Sequence, residues 1–488
     1  MTALTHAVIL GGSLAGTLAA AAAARHVDRV TIIERDALPD APAPRPGVPQ
    51  ARSVHILCSG GVRAAEELLP GITEQWLAHG VQRSDCLSEQ LWLAGHQWLP
   101  RTPTGQYTLS SSRDLLDYVV RTRVLSEPSI TLRTGSHVEG LLGDRCRVTG
   151  AVLRDRRTGQ TSTLHADLVI DATGRGSRAP HWLTALGLPK VRETTRRWKA
   201  TYATRSFHAP PSAAAFPLVS LLPDFCAPGP LRAGVLAPVE DGLWHVVLLG
   251  GDEDRHDMDD DRFTPFAHRL RHPLIGDLLT GARPAGPVHA VRGLHWRRRH
   301  FGPARRWPEG FIVLGDAAAT YNPVLAQGMS ITARSALALA HGLAGDPRPC
   351  STPEIQRSIN RLTQQAWTVG EIIGLLYHNT ALPEAGLRLI RHSHERLMNA
   401  STTCPAITRA IADVLSSSSP ISRIMTPRIA LAALYGSRQP LPPEPPLTPQ
   451  ERAMLAAATC RAALPDQANR TTRDRADRLT ARETDHGI

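Results

Sequence analysis

The sequence predicts an α/β fold: a Rossmann-like domain with a buried parallel sheet, an inserted and mainly antiparallel β-sheet domain, and a C-terminal helical region. Three observations favour it. The chain begins with a short apolar strand, a glycine turn and an alanine-rich helix. Residues 192–288 alternate between apolar and polar, and residues 353–435 carry apolar side chains at helical spacing.

These patterns divide the chain into segments. The Rossmann-like domain is expected in three pieces, and the inserted domain, which would hold the substrate, in two. A proline linker, one short helix and a polar, disordered tail should end the chain. The expected boundaries are 1–72, 111–190 and 291–348 for the first domain, 73–110 and 191–290 for the second, 349–440 for the helical region, and 441–488 for the linker and tail. Within the second domain, strands are expected over 91–98, 107–110, 200–207, 216–222, 234–238 and 244–249.

Composition excludes several classes of protein. The formal charge of +11 comes almost entirely from arginine, since lysine occurs only at Lys190 and Lys199, and no nucleic-acid-reading motif accompanies it. We therefore expect no nucleic-acid partner. Seven scattered cysteines without a CxxC pair argue against a disulfide framework or a structural zinc site and indicate a reducing compartment. With no signal peptide and no apolar run of membrane-spanning length, a cytoplasmic location and no transmembrane segment are expected.

The first βαβ unit predicts dinucleotide binding. Residues 6–10 read as a buried strand, 17–26 as a helix and 30–33 as the second strand. Glu34 then lies 18 residues beyond Gly16 (34 − 16 = 18), where a carboxylate would meet an adenosine ribose. Ser13 stands where the middle glycine of GxGxxG is usual, and the alternative is a tight turn with a surface glutamate. The candidate cofactor-binding residues here are Gly11, Gly12, Ser13, Gly16, Glu34 and Arg35.

Several cations are candidates for the same cofactor. Arg45, Arg52 and His55 lie in or beside a proline-rich loop, and they either approach the cofactor or are solvated and satisfied residues. Arg113 opens a helix over 115–124 that Ser112 can cap, although a cation there opposes the helix dipole. A bound anion such as a pyrophosphate would explain that arginine, and a surface position is the alternative.

Two further strand ends point to a flavin. The strand over 166–171 stops at small residues, Ala172-Thr173-Gly174, which let a ligand pass close to the backbone. The strand over 311–314 runs into Gly315-Asp316, and Gly328-Met329 opens a long helix. A carboxylate suits a polyol, and a helix N-terminus suits developing negative charge. A flavin offers both, through its ribityl chain and its reduced ring.

The densest basic segment is 292–301, RGLHWRRRHF. Most clusters of this kind are solvated edges, and we expect the same here. Anion binding or partner docking is the alternative, and a non-enzymatic anion- or nucleic-acid-binding protein is the remote reading of the whole chain.

Four longer motifs carry a family resemblance. They are GVPQARSVHIL at 47–57, DATGRGSR at 171–178, YATRSF at 202–207 and NPVLAQGMS at 322–330. Together with the glycine turn and Gly315-Asp316, they resemble the aromatic-hydroxylase and squalene-epoxidase class of FAD-dependent monooxygenases. The bacterial polyether epoxidases, which act on polyketide polyenes, look most similar.

The resemblance implies residue roles. Gly11, Gly16 and Glu34 would hold the adenosine half of FAD, and Val138 would contact adenine through its backbone. Arg113 would lie beside the pyrophosphate and ribityl region. Asp316 would bind the ribityl chain, while Gly328 and Met329 would supply N–H groups to the pyrimidine edge of the ring. Leu325, Ala326 and Gln327 depart from the epoxidase pattern and are therefore the substrate candidates.

The resemblance also implies a reaction. Reduced FAD and dioxygen would form a flavin hydroperoxide that epoxidises alkenes of a hydrophobic polyketide or terpenoid intermediate in natural-product, including antibiotic, biosynthesis. No side-chain catalyst is evident. Thr173 replaces an aspartate of the larger class, so the electron source is open between NAD(P)H and a partner flavin reductase.

Other flavin reactions remain open. They are hydroxylation, prenyl-chain reduction and halogenation, of which halogenation is disfavoured because the sequence has no WxWxIP segment and no lysine before Lys190. An epoxidase of this kind should enclose an apolar cavity between the β domain and the helices after residue 353.

Overall fold

The computed structural model describes residues 4–95, 97–227, 230–302, 307–345, 350–377, 384–435 and 444–460. The strands are β1 His6–Leu10, β2 Arg29–Ile33, β3 His55–Cys58, β4 Gln82–Asp85, β5 Leu91–Ala94, β6 Gln97–Trp98, β7 Tyr107–Ser111, β8 Ile130–Arg133, β9 Ser136–Gly143, β10 Val148–Asp155, β11 Thr161–His165, β12 Leu168–Asp171, β13 Arg192–His208, β14 Val219–Leu221, β15 Ala233–Pro238, β16 Leu243–Gly251, β17 Arg283–Pro284, β18 His289–His300 and β19 Phe311–Val313.

The helices alternate with these strands in the first half of the chain and dominate its end. They are α1 Leu14–Ala24, α2 Ser59–Leu68, α3 Ile72–Ala78, α4 Arg113–Leu125, α5 Ala179–Ala185, α6 Phe263–His268, α7 Leu274–Thr280, α8 Gly328–Ala344, α9 Thr352–Tyr377, α10 Glu384–Ser401, α11 Pro405–Leu415, α12 Pro427–Tyr435 and α13 Pro449–Cys460.

The predicted Rossmann-like sheet is confirmed. Its five strands run in the order β19-β12-β1-β2-β8 and are all parallel. Helices α1, α4 and α8 cover one face, and the three-stranded antiparallel sheet β11-β10-β9 covers the other. Strands buried on both faces need mostly apolar side chains, as residues 7–10 of β1 show; His6, at its start, is buried with both ring nitrogens hydrogen-bonded. Since the strands are parallel, their carboxyl ends meet at one edge.

The inserted domain is an eight-stranded sheet, ordered β17-β13-β16-β15-β14-β5-β6, with β18 also paired to β13. Helices α6, α7 and α13 pack on one face of it, and α9 packs on the other. The expected strands over 200–207, 234–238 and 244–249 are present. The first begins earlier, at Arg192, because residues 192–198 pair with β18.

Three details differ from the sequence prediction. The strand expected over 91–98 is a hairpin of β5 and β6, because the chain turns at Gly95, whose φ is +59°. Strand β7 was assigned to the substrate domain but pairs with β3 and β4 in a separate sheet. Helices α6 and α7 were not predicted at all.

The short helix expected after the proline linker is present as α13, and it packs on the inserted domain. Leu447 and Ala458 are buried in the core of the inserted domain, and Arg101 donates to Glu451 of α13 at 2.8 Å. The residues expected to be a disordered tail, 464–488, and linker residues 441–443 lie outside the described part of the chain. Among the described helices, none is long and apolar enough to cross a membrane.

Candidate functional site

The glycine turn after β1 is shaped by close packing. Gly11 has φ +100°, and a Cβ there would lie 2.6 Å from the carbonyl oxygen of Ala172. A Cβ on Gly16 would lie 1.8 Å from the Gly11 carbonyl oxygen. Both positions therefore require glycine, and the turn brings the α1 N-terminus to the edge where the parallel strands end.

Ser13, which stands in place of the middle glycine, is hydrogen-bonded to helix α4. Its Oγ donates to Asp117 Oδ2 at 3.1 Å and accepts from Arg113 Nη2 at 3.4 Å. Both partners lie on α4, so the serine ties α1 to that helix. The departure from GxGxxG is thus explained by a bond to α4.

Glu34, at the end of β2, is buried and already holds the turn. Its Oε2 accepts from the Gly12 N–H at 2.8 Å and from Arg45 Nη2 at 3.1 Å, and its Oε1 accepts from the Asp36 N–H at 3.0 Å. Arg45 is itself buried, and its Nε has no partner among the described residues. A ribose reaching Glu34 would share the carboxylate with Arg45. Arg35 is exposed and pairs with Asp36 at 3.3 Å.

Arg113 has an internal counter-charge. The expected cap is present, because Ser112 Oγ accepts from the Leu115 N–H at 3.2 Å. Arg113 Nε donates to Asp117 Oδ1 at 2.6 Å, and only 9% of the arginine is exposed. The surface alternative is therefore wrong. A bound anion is not needed to balance the arginine, since Asp117 lies one turn along the same helix.

Asp316 follows β19 in a 3-10 turn, Gly315–Ala317. Gly315 has φ +63°, and a Cβ there would lie 2.8 Å from Cβ of Ala15, so the turn packs on α1. None of the described residues donates a hydrogen bond to the Asp316 carboxylate. Burial raises its pKa, while the charges of Arg113 and Arg175 lower it. This leaves a partly desolvated acceptor at the strand end, which hydroxyl donors would satisfy.

Helix α8 presents a free N-terminus beside that turn. It starts at Gly328, and no side chain caps it. The first N–H groups, from Gly328 to Ser330, have no acceptor within the helix. Met329 is buried, so its contribution to a ligand would come through the backbone.

Val138, the candidate for an adenine contact, is buried on β9. The Ser136 N–H of the same strand donates to the Glu34 carbonyl oxygen at 3.2 Å, so the backbone of Val138 lies near Glu34.

The segment before α8 contains the substrate candidates. Leu325 and Ala326 are partly exposed, and Ala326 has the unusual φ of +51°. Gln327 is 3% exposed, and its Nε2 donates to the carbonyl oxygens of Val414 at 3.3 Å and Leu415 at 3.4 Å. Gln327 therefore ties the start of α8 to the end of α11, and only Leu325 and Ala326 keep exposed surface.

Comparison with known proteins identifies the family. A family described as "FAD binding domain" matches residues 4–346. This range includes the edge at which the strands of the parallel sheet end, with Gly11, Glu34, Asp316 and the N-terminus of α8; we call it the FAD edge. The chain belongs to this family. The residues at this edge fit FAD, which has a ribose, a polyol, a pyrophosphate and a ring that becomes anionic. Glu34 suits the ribose and Asp316 the polyol. The N-termini of α1 and α8, which no described side chain caps, suit the pyrophosphate and the ring.

Relatives of this FAD-binding protein are spread across several activities. Protein Rv3254 of Mycobacterium tuberculosis is 32% identical over 395 residues, 78% of this chain and 82% of that protein. A kynurenine 3-monooxygenase of Salinispora tropica is 26% identical over 358 residues, 70% of this chain and 73% of that enzyme. The flavin-dependent brominase Bmp2 has a similar structure, with TM-score 0.59, 13% identity, and 85% and 94% of the two chains covered. The chain is an enzyme of the FAD-dependent monooxygenase type.

Polar groups between the FAD edge and the inserted sheet are held neutral. His55 Nδ1 bonds the Ser53 carbonyl oxygen at 2.8 Å, and burial, followed by the charge of Arg113, lowers its pKa to about 4. Burial raises the pKa of Tyr202 to about 12, although a bond with the Ser53 side chain opposes the shift. Neither side chain carries charge at neutral pH.

A cluster of aromatic side chains fills the interface between the inserted sheet and α9. Tyr377 lies 4.6 Å from the ring of Trp198 and 4.8 Å from that of Phe225, measured between centroids. Val324, from the segment before α8, packs against the same cluster and so connects it to the FAD edge. We refer to this set as the aromatic cluster; its buried rings are Trp198, Phe225, Trp296, Trp367 and Tyr377.

The basic segment is only partly a solvated edge. Arg292 is exposed, but Arg299 is 5% exposed and donates to Glu193 Oε1 at 2.9 Å. Its other nitrogens reach the carbonyl oxygens of Ala317 at 2.6 Å and Ser177 at 3.1 Å. Arg299 therefore joins the loop after β12 to the turn that carries Asp316. The expectation of a solvated edge was wrong for this residue.

Sequence reasoning missed other supporting residues. Asp117 organises Ser13 and Arg113, and its position four residues after Arg113 was the available signal. Asp171 is fully buried and accepts from the Thr173 hydroxyl at 2.6 Å and from the Ser177 hydroxyl at 2.5 Å, which fixes the Ala-Thr-Gly loop. No spacing in the sequence indicated Arg299.

Proposed function

We propose that this FAD-dependent enzyme epoxidises one or more alkenes of a hydrophobic polyketide or terpenoid intermediate in natural-product biosynthesis. The observation that carries the proposal is the aromatic cluster next to the segment that opens α8. It offers an apolar surface beside the helix N-terminus at which a flavin ring would be held.

Two neutral side chains beside the proposed position of the flavin ring support an alkene substrate. His55 and Tyr202 are both uncharged at neutral pH. A phenol or amine substrate would gain from a charged or basic partner to move its proton. An alkene needs positioning and exclusion of water, which buried rings supply.

Two unpaired donors favour an oxygen-bearing substrate. The Trp296 indole N–H and the Tyr377 hydroxyl are buried without a hydrogen-bond partner among the described residues. Such groups are costly unless a ligand or water satisfies them. A polyketide carries carbonyl or hydroxyl oxygens that would accept from both, whereas a plain terpene hydrocarbon would not. The rings of the cluster contact one another, so side chains fill the space in which an apolar cavity was expected, and that expectation was wrong. A large substrate would enter only by separating α9 from the sheet.

The chain's own residues would position the cofactor. FAD, when bound and reduced, supplies the activation of dioxygen. Asp316 would accept from ribityl hydroxyls, and the α8 N-terminus would stabilise negative charge on the ring by up to about 2 kcal/mol. Glu34 and the α1 N-terminus would hold the adenosine and pyrophosphate.

The electron source and the compartment are also part of the proposal. Either NAD(P)H or a separate flavin reductase would reduce the cofactor. Measuring NADH and NADPH oxidation with and without an added flavin reductase distinguishes them. A cytoplasmic location is supported by seven cysteines that are all free.

The test is an oxygen-labelling experiment. The FAD-loaded protein is supplied with a reducing system, a candidate polyene and isotopically labelled dioxygen, and the product mass is measured. We expect one labelled oxygen for each double bond lost. Asp316→Ala, which should bind FAD about 10- to 100-fold more weakly, is the matched control and should form less labelled product at limiting FAD.

Other outcomes would replace the proposal. Labelled oxygen in a product that keeps its double bonds indicates a hydroxylase. Saturation of the alkene, inhibited by dioxygen, indicates a prenyl-chain reductase, and halide incorporation would indicate a halogenase.

A further inference from the structure

Three side chains with metal-binding atoms meet at the far side of the aromatic cluster. The Cys226 sulfur, a His392 ring nitrogen and a Glu395 carboxylate oxygen all lie within 4.8 Å of one another. They come from two separate elements, the loop after β14 and helix α10. This triad has no part in FAD binding or in the proposed oxidation.

The backbone places these groups on one side of α10. His392 and Glu395 are three residues apart on the helix, so they project from neighbouring positions on one face. Cys226 lies in a turn in which Asp224 Oδ1 accepts from the N–H groups of Cys226 at 2.9 Å and Ala227 at 3.2 Å. The thiol therefore faces the helix from a defined turn.

A ring contact beside the triad holds the same two elements together. Phe225 packs edge-on against His394, with ring centroids 5.4 Å apart. The loop and α10 thus meet at adjacent residues of both segments. The contact between Phe225 and His394 therefore also fixes the distance between the loop and α10.

We propose that Cys226, His392 and Glu395 bind one Zn²⁺ ion. Thiolate, imidazole and carboxylate are the ligands that zinc takes in proteins, and three of them leave a fourth tetrahedral position for water. The candidate site is empty here. Tetrahedral zinc would bring the three ligand atoms to about 3.5 Å from one another. That change is within the reach of side-chain rotation, since His392 is exposed and the other two are partly exposed.

The charges around the triad suit a divalent ion. In the metal-free state Cys226 bonds to Glu395, and its thiol proton would be released to solvent when the metal binds. Asp224 adds a second carboxylate beside the sulfur, and two cations oppose these charges, Arg391 near the sulfur and Arg271 near Asp224. Once the thiol has lost its proton, two carboxylates and one thiolate against two arginines leave one net negative charge for the ion to neutralise.

The position of the metal gives it a structural role. Phe225 of the same loop contacts Tyr377 at the end of α9, so zinc would fix α10 and its loop over the aromatic cluster. The ion would cross-link the loop after β14 of the inserted sheet to α10 of the helical region. It would leave the FAD edge unchanged.

The experiment measures zinc in the full-length, FAD-loaded protein. The protein is stripped with a chelator, dialysed against zinc and freed of excess ion, and its metal content is then determined. We expect one zinc per chain in the wild type. Cys226→Ser and His392→Asn should each weaken zinc binding by at least about 10-fold, because each removes a ligand.

Cys146→Ser is the matched control, since Cys146 is an exposed cysteine in the FAD-binding domain. It should keep the zinc content of the wild type. FAD content, measured from the flavin spectrum, shows that each variant is folded and reports separately on the proposed function. Equal zinc in wild type and Cys226→Ser, or no retained zinc in the wild type, would overturn the proposal.

Replacement of zinc by Co²⁺ gives an independent readout. A cobalt–thiolate site absorbs in the red part of the visible spectrum, beyond oxidised flavin. The band should be present in the wild type and in Cys146→Ser, and missing in Cys226→Ser. A wild-type band that survives in Cys226→Ser would place the metal elsewhere.

Discussion

Asp316→Ala should release FAD without unfolding the protein. A hydrogen bond to a charged group contributes about 1.5–3 kcal/mol, and each 1.4 kcal/mol is tenfold in affinity. Loss of the carboxylate should therefore weaken FAD binding by about 10- to 100-fold. None of the described residues donates to Asp316, so no internal hydrogen bond is broken by its removal.

The stability of the FAD-free protein separates this effect from misfolding. Burial raises the pKa of Asp316, so the folded state disfavours its ionised form. At neutral pH the charged carboxylate costs stability, and its removal should leave the urea midpoint unchanged or raise it. Arg113 keeps Asp117 as its counter-charge.

The assay is titration of FAD-free protein with FAD, followed by flavin fluorescence, alongside urea unfolding. Asp261→Ala, an exposed aspartate on the inserted domain, is the control and should bind FAD as the wild type does. The reasoning is refuted if Asp316→Ala binds FAD with the affinity of the wild type. It is equally refuted if the variant loses FAD only because it unfolds.

Three further predictions concern stability, all measured by urea unfolding of the FAD-free protein. His55, with a folded pKa of about 4 against an ordinary 6.5, should make the wild type lose up to about 3 kcal/mol as pH falls from 6.5 to 4. His55→Gln should show a smaller loss, and an identical pH profile would contradict this. Arg299→Met should cost about 3 kcal/mol, because it leaves the buried carbonyl groups of Ala317 and Ser177 without this donor and Glu193 with only Arg297; Arg292→Met, at an exposed site, should cost less than about 0.5. Gly315→Ala should cost at least about 1–2 kcal/mol from its positive φ alone, and a neutral result would show that the turn can relax away from Ala15.

Local patterns predicted the parallel sheet and the strand ends. The apolar run of β1 after His6, the glycine turn and the acidic residue after β2 could be predicted, because each follows from a constraint within about thirty residues. The small residues after β12 and the Gly-Asp pair after β19 could also be predicted, because each directly follows an apolar strand in the sequence. Parallel pairing then brings these distant strand ends to one edge without further information.

Long-range contacts could not be predicted in this way. Arg299 looks like any member of a basic run until the structure shows its bonds to two separate loops. The sheet β3-β7-β4 joins segments about fifty residues apart, and the strands are too short to show which neighbour each will pair with. Ser13 looked like a defect in the glycine motif because its partner, Asp117, lies 104 residues away.

The substrate side was the least predictable part. Gln327 was a candidate because it departs from the epoxidase pattern, but its amide binds the end of α11, which no motif located. The aromatic cluster combines residues of β13, the loop after β14, β18 and α9, and its unpaired donors were visible only once the packing was known. Burial and pairing, rather than residue type, distinguish these positions.

The central claim is that one edge of the parallel sheet binds FAD. The most direct test is the visible spectrum and stoichiometry of the purified full-length protein after incubation with FAD and removal of the excess. We predict a yellow protein with one FAD per chain. A folded but colourless protein that takes up no FAD would contradict the account.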